Sequence, residues 1–223
     1  MSKSFSQTNE AVGRYVIETF HPEDAVLLEI RKRAAQEGLP DIHVGPMDGL
    51  HLEVIARSIG AKKIVEIGTL AGYSGVCLAR ALPPDGKLYC FEYEPKHAEV
   101  SFESFKKAGF ENQVEIHVGA ALEQLPKIEA QGPFDLVFID ADKPAYPAYL
   151  EWAMKHLRVG GVFLGDNTFS GGLAADAANE TGPKAERVKA IREFNRMAAT
   201  DLRFRSTVIP TGEGLTMGVK IKN

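Results

Sequence analysis

From Lys62 onward, short apolar runs alternate with longer amphipathic stretches, and that rhythm sets the fold expectation. Ile64-Val65-Glu66-Ile67 closes on Gly68, and Leu88 to Phe91 follows the turn Pro83-Pro84-Asp85-Gly86. Val114 to Val118, Phe134 to Ile139 and Gly161 to Leu164 continue the series. Near-continuous apolar runs of this length suit strands buried on both faces. Helices are expected between them, at roughly 73–82, 95–108, 120–128 and 145–156. Strand and helix in alternation give a mostly parallel sheet covered by helices on both faces.

The two ends depart from this rhythm. The first sixty residues read as helices, with Pro22 as a first-turn proline and Val26, Leu27, Ile30 and Ala34 at helical spacing. After the break at Gly38-Leu39-Pro40, a second apolar pattern runs through Leu50, Val54, Ile55 and Ile59. Near the C-terminus a helix around 184–199 leads to Phe204–Ile209, then Thr211-Gly212-Glu213-Gly214, then Leu215–Ile221, which reads as an antiparallel hairpin. In its last strand Leu215, Met217, Val219 and Ile221 alternate with Thr216, Gly218 and Lys220, as for a strand with one face on the core. The expectation is a doubly wound, mostly parallel, seven-stranded Rossmann-like sheet with a C-terminal antiparallel hairpin. It forms a single domain, with residues 1–60 as an N-terminal helical segment and 61–223 as the α/β core.

Composition changes this picture little. The 223 residues are 44% hydrophobic and 25% charged, ordinary for a globular chain. A net charge of −4 offers no global pull towards nucleic acid. No apolar run approaches the roughly 20 residues that span a bilayer. Met1 to Glu10 is polar and lacks the apolar stretch of a secretory signal, so a cytoplasmic location is expected. Cys77 and Cys90 fall in a buried helix and a buried strand and are expected to be reduced core thiols.

In such sheets ligands sit beyond the C-terminal ends of the strands. The first strand ends Glu66-Ile67-Gly68-Thr69-Leu70-Ala71-Gly72-Tyr73-Ser74, whose glycines are spaced GxxxG rather than GxGxxG, so a pyrophosphate cradle is not indicated. The second strand ends at Glu92, placed to accept hydrogen bonds from a ribose diol. A nucleoside without a phosphate, such as S-adenosylmethionine, fits both features. The fourth strand ends Asp140-Ala141-Asp142-Lys143 and the fifth Asp166-Asn167-Thr168. Asp140, Asp166 and Asn167 make an all-oxygen set suited to a hard ion such as Mg²⁺. The six histidines are scattered, and His97 and His117 read as ordinary helix and strand residues. A lysine beside a bound dication has its ammonium form disfavoured, which would suit Lys143 to general-base work. Taken singly, an Asp at a strand end is as readily a helix cap, an Asp-Asn pair a turn, and Lys143 a surface lysine.

Taken together, these motifs resemble the cation-dependent O-methyltransferases, the family of caffeoyl-CoA and catechol O-methyltransferases and their bacterial relatives. The match rests on Glu66 to Ser74, Ile139 to Lys143 with Tyr146 and Tyr149, Gly160-Gly161, Asp166-Asn167-Thr168 and Gly212 to Thr216. It runs from about residue 40 to the C-terminus. The resemblance implies that Asp140, Asp166 and Asn167 hold the divalent cation, with Mg²⁺, Mn²⁺ and Ca²⁺ as candidates. It implies that Glu92 holds the ribose hydroxyls, that Glu66, Gly68, Thr69, Ser74 and the Val44 backbone line the methionine part, that Ala121 sits by the adenine, and that Asp140 and Asp142 contact the cofactor. Lys143 falls where the catechol enzymes carry their catalytic lysine, and the N-terminal helices fall where the family forms homodimers.

The chain departs from the plant enzymes at Phe169-Ser170-Gly171-Gly172, where those carry a Trp and an Asn that help place substrate. Its loop from Ala174 to Pro183 has no aromatic clamp. The function expected is methyl transfer to a small phenolic acceptor with vicinal hydroxyls that chelate the metal while Lys143 takes the proton. Three alternatives stay open. A tRNA hydroxyuridine acceptor would use the basic residues Lys184, Arg187, Lys189, Arg192 and Arg196, although Glu186 and Glu193 mark that helix as a mixed, solvated face. A nicotinamide-dependent oxidoreductase and a non-catalytic binding module are the others.

Overall fold

The computed structural model describes residues 10–182 and 184–223. The expectations for Met1 to Asn9 and for Pro183 lie outside the described residues. Three helices come first: α1 (Glu10–Phe20), α2 (Ala25–Gln36) and α3 (Pro46–Ser58). The alternating part follows as β1 (Lys63–Ile67), α4 (Tyr73–Ala79), β2 (Lys87–Glu92), α5 (Pro95–Ala108), β3 (Val114–Val118), α6 (Ala121–Gln124), β4 (Phe134–Ile139), α7 (Tyr146–His156) and β5 (Leu157–Gly165). The chain ends with α8 (Ala185–Thr200), β6 (Phe204–Ile209) and β7 (Leu215–Lys220). One seven-stranded sheet has the order β3-β2-β1-β4-β5-β7-β6. All pairings from β3 to β5 are parallel, and β7 runs antiparallel to both β5 and β6. This is the doubly wound, mostly parallel sheet with a terminal hairpin that the pattern predicts.

The order reverses at β1, from which the chain winds outward first through β2 and β3 and then, crossing back, through β4 and β5. Strand ends on either side of that reversal diverge and leave a crevice. Side chains alternate between the faces: Ile64, Leu88, Leu136 and Leu164 pack with α2 to α5 on one side. Val65, Tyr89, Val137 and Phe163 pack with Leu150, Met154 and Phe194 on the other. No helix among the described residues is long and apolar enough to cross a membrane. Cys77 and Cys90 are both buried free thiols.

Several sequence expectations shift. Pro22 does not start a helix: α2 begins at Ala25, capped by the Asp24 carboxylate on the Leu27 N–H at 3.1 Å. In α3 the core face is Met47, Leu52 and Ala56, and Val54 is 55% exposed. The helix expected at 120–128 is one α-turn that passes into a 3₁₀ segment over Leu125–Gln131. Pro126 has no N–H to continue the α ladder. Strand β5 begins at Leu157 rather than Gly161 and slips register opposite Phe134–Leu136, next to left-handed Gly160. Strand β7 turns Thr216, Gly218 and Lys220 onto the face where Asn195 of α8 and Phe163 pack, and they are buried there while Met217 and Val219 are only half-buried. Lys220 Nζ is satisfied there by the Leu157 carbonyl at 2.8 Å.

One glycine carries an unusual steric duty. Gly68 has φ +94°, and a Cβ there would overlap the carbonyl of Asp140. Gly109, the left-handed C-cap of α5 at φ +83°, faces open space. Gly109→Ala is expected to cost about 1 kcal/mol, the backbone penalty alone. Gly68→Ala should cost roughly 2 kcal/mol or more because two strand ends must also separate. Urea unfolding of both variants measures the difference, and equal losses would contradict the close approach.

Candidate active site

The residues singled out in the sequence gather along the C-terminal edge of β1, β2, β4 and β5. Gly68 N–H donates to the Phe91 carbonyl (2.9 Å), Asp140 N–H to Ile67 (2.8 Å) and Asp166 N–H to Ile139 (3.0 Å). Each strand's first residue past its end is thus tied to its neighbour, and the ladder extends into a rim. Asn167 then turns left-handed, φ +60°, a conformation asparagine tolerates better than most residues.

Glu66 lies beneath the first turn and is fully buried. Its carboxyl receives hydrogen bonds from Ser74 Oγ (2.6 Å), Thr69 Oγ1 (3.0 Å) and Cys90 Sγ (3.4 Å). Burial pushes its pKa up to about 7, against the lowering effect of those three donors. Glu92 braces the same turn from β2, accepting the N–H groups of Leu70 (2.8 Å), Thr69 (3.2 Å) and Glu94 (3.0 Å). His97 Nδ1 lies 3.3 Å from its other side. Val44 is buried, and its carbonyl accepts from Arg31 Nη2 at 3.0 Å. Arg31 in turn stacks on Tyr73, 4.2 Å from the ring centre. Ala121 opens α6, just past β3.

Lys143 is bent back into the rim. Its ammonium donates to Asp140 Oδ1 (2.9 Å), the Ala141 carbonyl (3.0 Å) and the Tyr146 hydroxyl (2.7 Å). Only 11% of its side chain is exposed, so it is not a surface lysine. Tyr146 is fully buried and donates to the Ile139 carbonyl at 3.1 Å. Burial raises its pKa well above the usual phenol range, and the nearby carboxylates of Asp140 and Asp166 push it the same way. Tyr149 donates to Asp142 Oδ1 at 2.7 Å and holds that carboxylate at the entrance to α7.

A further network fixes the end of β5. Thr168 Oγ1 and Thr216 Oγ1 are 2.7 Å apart, Thr216 donates to Asn195 Oδ1 (2.8 Å), and Asn195 Nδ2 donates to the Thr168 carbonyl (3.0 Å). Strand β7 and helix α8 therefore hold Asp166-Asn167-Thr168 in place. Two carboxylates and one amide make an oxygen-only donor set that fits a hard cation retaining several waters. Among the described residues, no group of three or more His, Cys, Asp and Glu side chains is arranged to hold a metal.

The sequence model of the O-methyltransferase family matches residues 17–221. The chain belongs to that family. A catechol O-methyltransferase from Niastella koreensis is 40% identical over 206 residues, covering 92% of this chain and 91% of the relative. An O-methyltransferase from Bacillus cereus, solved in complex with SAH, superposes with a TM-score of 0.86 at 36% identity, covering 94% of this chain and 97% of that one. TomG from Streptomyces achromogenes, an O-methyltransferase involved in tomaymycin synthesis and solved with SAM, gives 0.86 at 36% identity, covering 95% and 96%. Family membership sets the nicotinamide-dependent alternative aside.

In this O-methyltransferase the structure brings Glu66, Gly68, Thr69, Ser74, Glu92, Asp140, Asp142, Lys143, Asp166 and Asn167 to one edge. Two residues play parts that the sequence leaves unassigned. Tyr146 shares the Lys143 ammonium, which only the three-residue offset from Lys143 hints at. Arg187, read with the solvated face of α8, instead donates from Nε to Ser170 Oγ at 3.1 Å. Arg192 and Arg196 do lie in a mixed face, ion-paired with Glu180 and Glu193.

The raised Glu66 pKa makes a stability prediction. The fold favours the protonated carboxyl, so its contribution is full below about pH 4.5 and is lost as pH rises towards 7. Over that window stability should fall by roughly 3 kcal/mol on this residue's account. Glu66→Gln should flatten the fall in urea midpoints measured from pH 4.5 to 8. An unchanged slope would show that the carboxyl stays ionised in the fold.

Proposed function

We propose that this protein transfers a methyl group from S-adenosylmethionine to one oxygen of a small vicinal dihydroxy aromatic, with a divalent cation held by Asp140, Asp166 and Asn167. The observation that carries this reading is the Lys143 environment, set between the rim carboxylates. Three acceptors surround Nζ, matching the three N–H bonds of an ammonium. Once Nζ had released a proton to solvent, its lone pair would take the proton of an acceptor hydroxyl, and Asp140, the Ala141 carbonyl and Tyr146 would hold the ammonium so formed. At the acceptor oxygen the net exchange is a methyl for a proton.

Bound at this rim, S-adenosylmethionine would supply an electrophilic sulfonium methyl, and Mg²⁺ would supply Lewis acidity for two adjacent hydroxyls. The protein's own contribution is position. Tyr146 and the Ala141 carbonyl fix the lysine beside Asp140, and the Thr168–Thr216–Asn195 network fixes the chain at Thr168, two residues past Asp166. Glu92 and Glu66 shape the first turn for the nucleoside and the amino-acid part. Titratable groups held to one geometry are what proximity catalysis requires. The homodimer expectation attaches to α1, where Val12, Tyr15 and Phe20 remain exposed.

Methyl transfer from labelled S-adenosylmethionine to a catechol acid, its monohydroxy analogue and bulk tRNA tests the reading, each with Mg²⁺ and with chelator. Transfer to the catechol alone, lost with chelator, is expected. Lys143→Met should lower kcat by about 100-fold or more, and Asp140→Ala should leave no metal-dependent turnover. Activity that survives the chelator would overturn the metal role, and transfer to tRNA alone would overturn the acceptor class.

A further inference from the structure

The loop from Thr168 to Gly182 is pinned to the sheet by α8, and one arginine of that helix differs from its neighbours. Arg192 is neutralised by Glu180 and donates to the Ala174 carbonyl at 2.7 Å. Arg196 is neutralised by Glu193. Arg187 has no carboxylate within ion-pair distance among the described residues, and Nε is its one hydrogen-bonded nitrogen among them. The side chain is half-buried, and Nη1 and Nη2 make no hydrogen bond to the described residues.

Its position borders the proposed acceptor site. The Ser170 that receives Nε is buried, in a left-handed turn at φ +49°, and donates its own N–H to the Asn167 carbonyl at 2.9 Å. Arg187 is therefore two hydrogen bonds from the backbone carbonyl of Asn167, the residue whose side-chain amide is offered to the cation. Its charge is also felt at the Tyr146 hydroxyl, where it opposes Asp140, Asp166 and Asp142. That hydroxyl is the one to which Lys143 donates. Arg187 thus lies close to Asn167, through Ser170, and to Tyr146.

We propose that Arg187 is a specificity-determining residue that pairs with a carboxylate on the methyl acceptor, so that the preferred acceptors are acidic catechols. This rests on the O-methyl transfer reading of the Asp140–Asp166–Asn167 rim. The planar guanidinium fork matches a carboxylate through two parallel N–H···O bonds. A carboxylate so paired also sets which way the ring lies, and hence which hydroxyl meets Lys143.

The test compares 3,4-dihydroxybenzoate with its methyl ester, the same catechol without the charge, in the full-length enzyme with Mg²⁺. Arg187→Gln is expected to lower kcat/KM on the acid roughly tenfold more than on the ester, mainly through KM, as for loss of a charged hydrogen bond. Ser170→Ala, which removes the brace but keeps the guanidinium, is expected to retain the preference for the acid. Equal losses on acid and ester in Arg187→Gln would mean that the arginine only holds the loop, and would overturn the proposal while leaving the methyl-transfer reading intact. Absence of transfer to either acceptor by the unsubstituted enzyme would overturn that reading, and the proposal with it.

Discussion

The close approach of two strand ends, Gly68 against the Asp140 carbonyl, is the constraint on which the rest of the site depends. Only a residue without a Cβ lets β1 and β4 remain in register to their last residues there. Because they do, Asp140 can donate to Ile67, and Asp166 can donate one strand further on to Ile139. The backbone ladder stiffens the rim, and side chains on a stiff rim need little reorganisation to act together. A mobile loop carrying the same residues would lose that advantage.

The rim is also where the fold concentrates negative charge. Glu92, Asp140, Asp142 and Asp166 converge there above Glu66, whose burial favours the protonated carboxyl, and each described partner offsets part of the cost. Neutral donors surround Glu66, backbone N–H groups hold Glu92, a tyrosine holds Asp142, and the Lys143 ammonium sits on Asp140. Such a concentration of carboxylates favours cations, whether a metal, a sulfonium or an ammonium. The methyl-transfer reading places all three there, and Arg187 adds the one arginine near the rim that no carboxylate among the described residues neutralises.

Much of the fold was legible because burial on both faces leaves an unmistakable mark. Ile64 to Ile67 and Phe134 to Ile139 are apolar almost without interruption, and the Gly68 and Asp140 that follow them stand out. The misreadings share a cause, which is that burial comes from partners distant in sequence. Alternation in β7 marked one face as the core face, but Asn195 of α8 reaches Thr216 on the other and Lys220 finds the Leu157 carbonyl there. Val54 matched the helical spacing of α3, yet the side of that helix facing α4 carries Leu52 and Ala56. Arg187 looked like any cation of a mixed helix, because nothing in the local sequence says that Ser170 lies beneath it. Pro126 and Asp24 are different: both signals were local, a missing N–H and an N-cap, and could have been read.

The central claim is that Asp140, Asp166 and Asn167 form a cation site at this rim, and Mg²⁺ titration by calorimetry tests it without relying on any acceptor. With S-adenosylhomocysteine present, the account predicts one Mg²⁺ bound per chain, and affinity weakened more than about tenfold in Asp166→Asn. Equal Mg²⁺ affinity in the two proteins, or no binding in either, would contradict it.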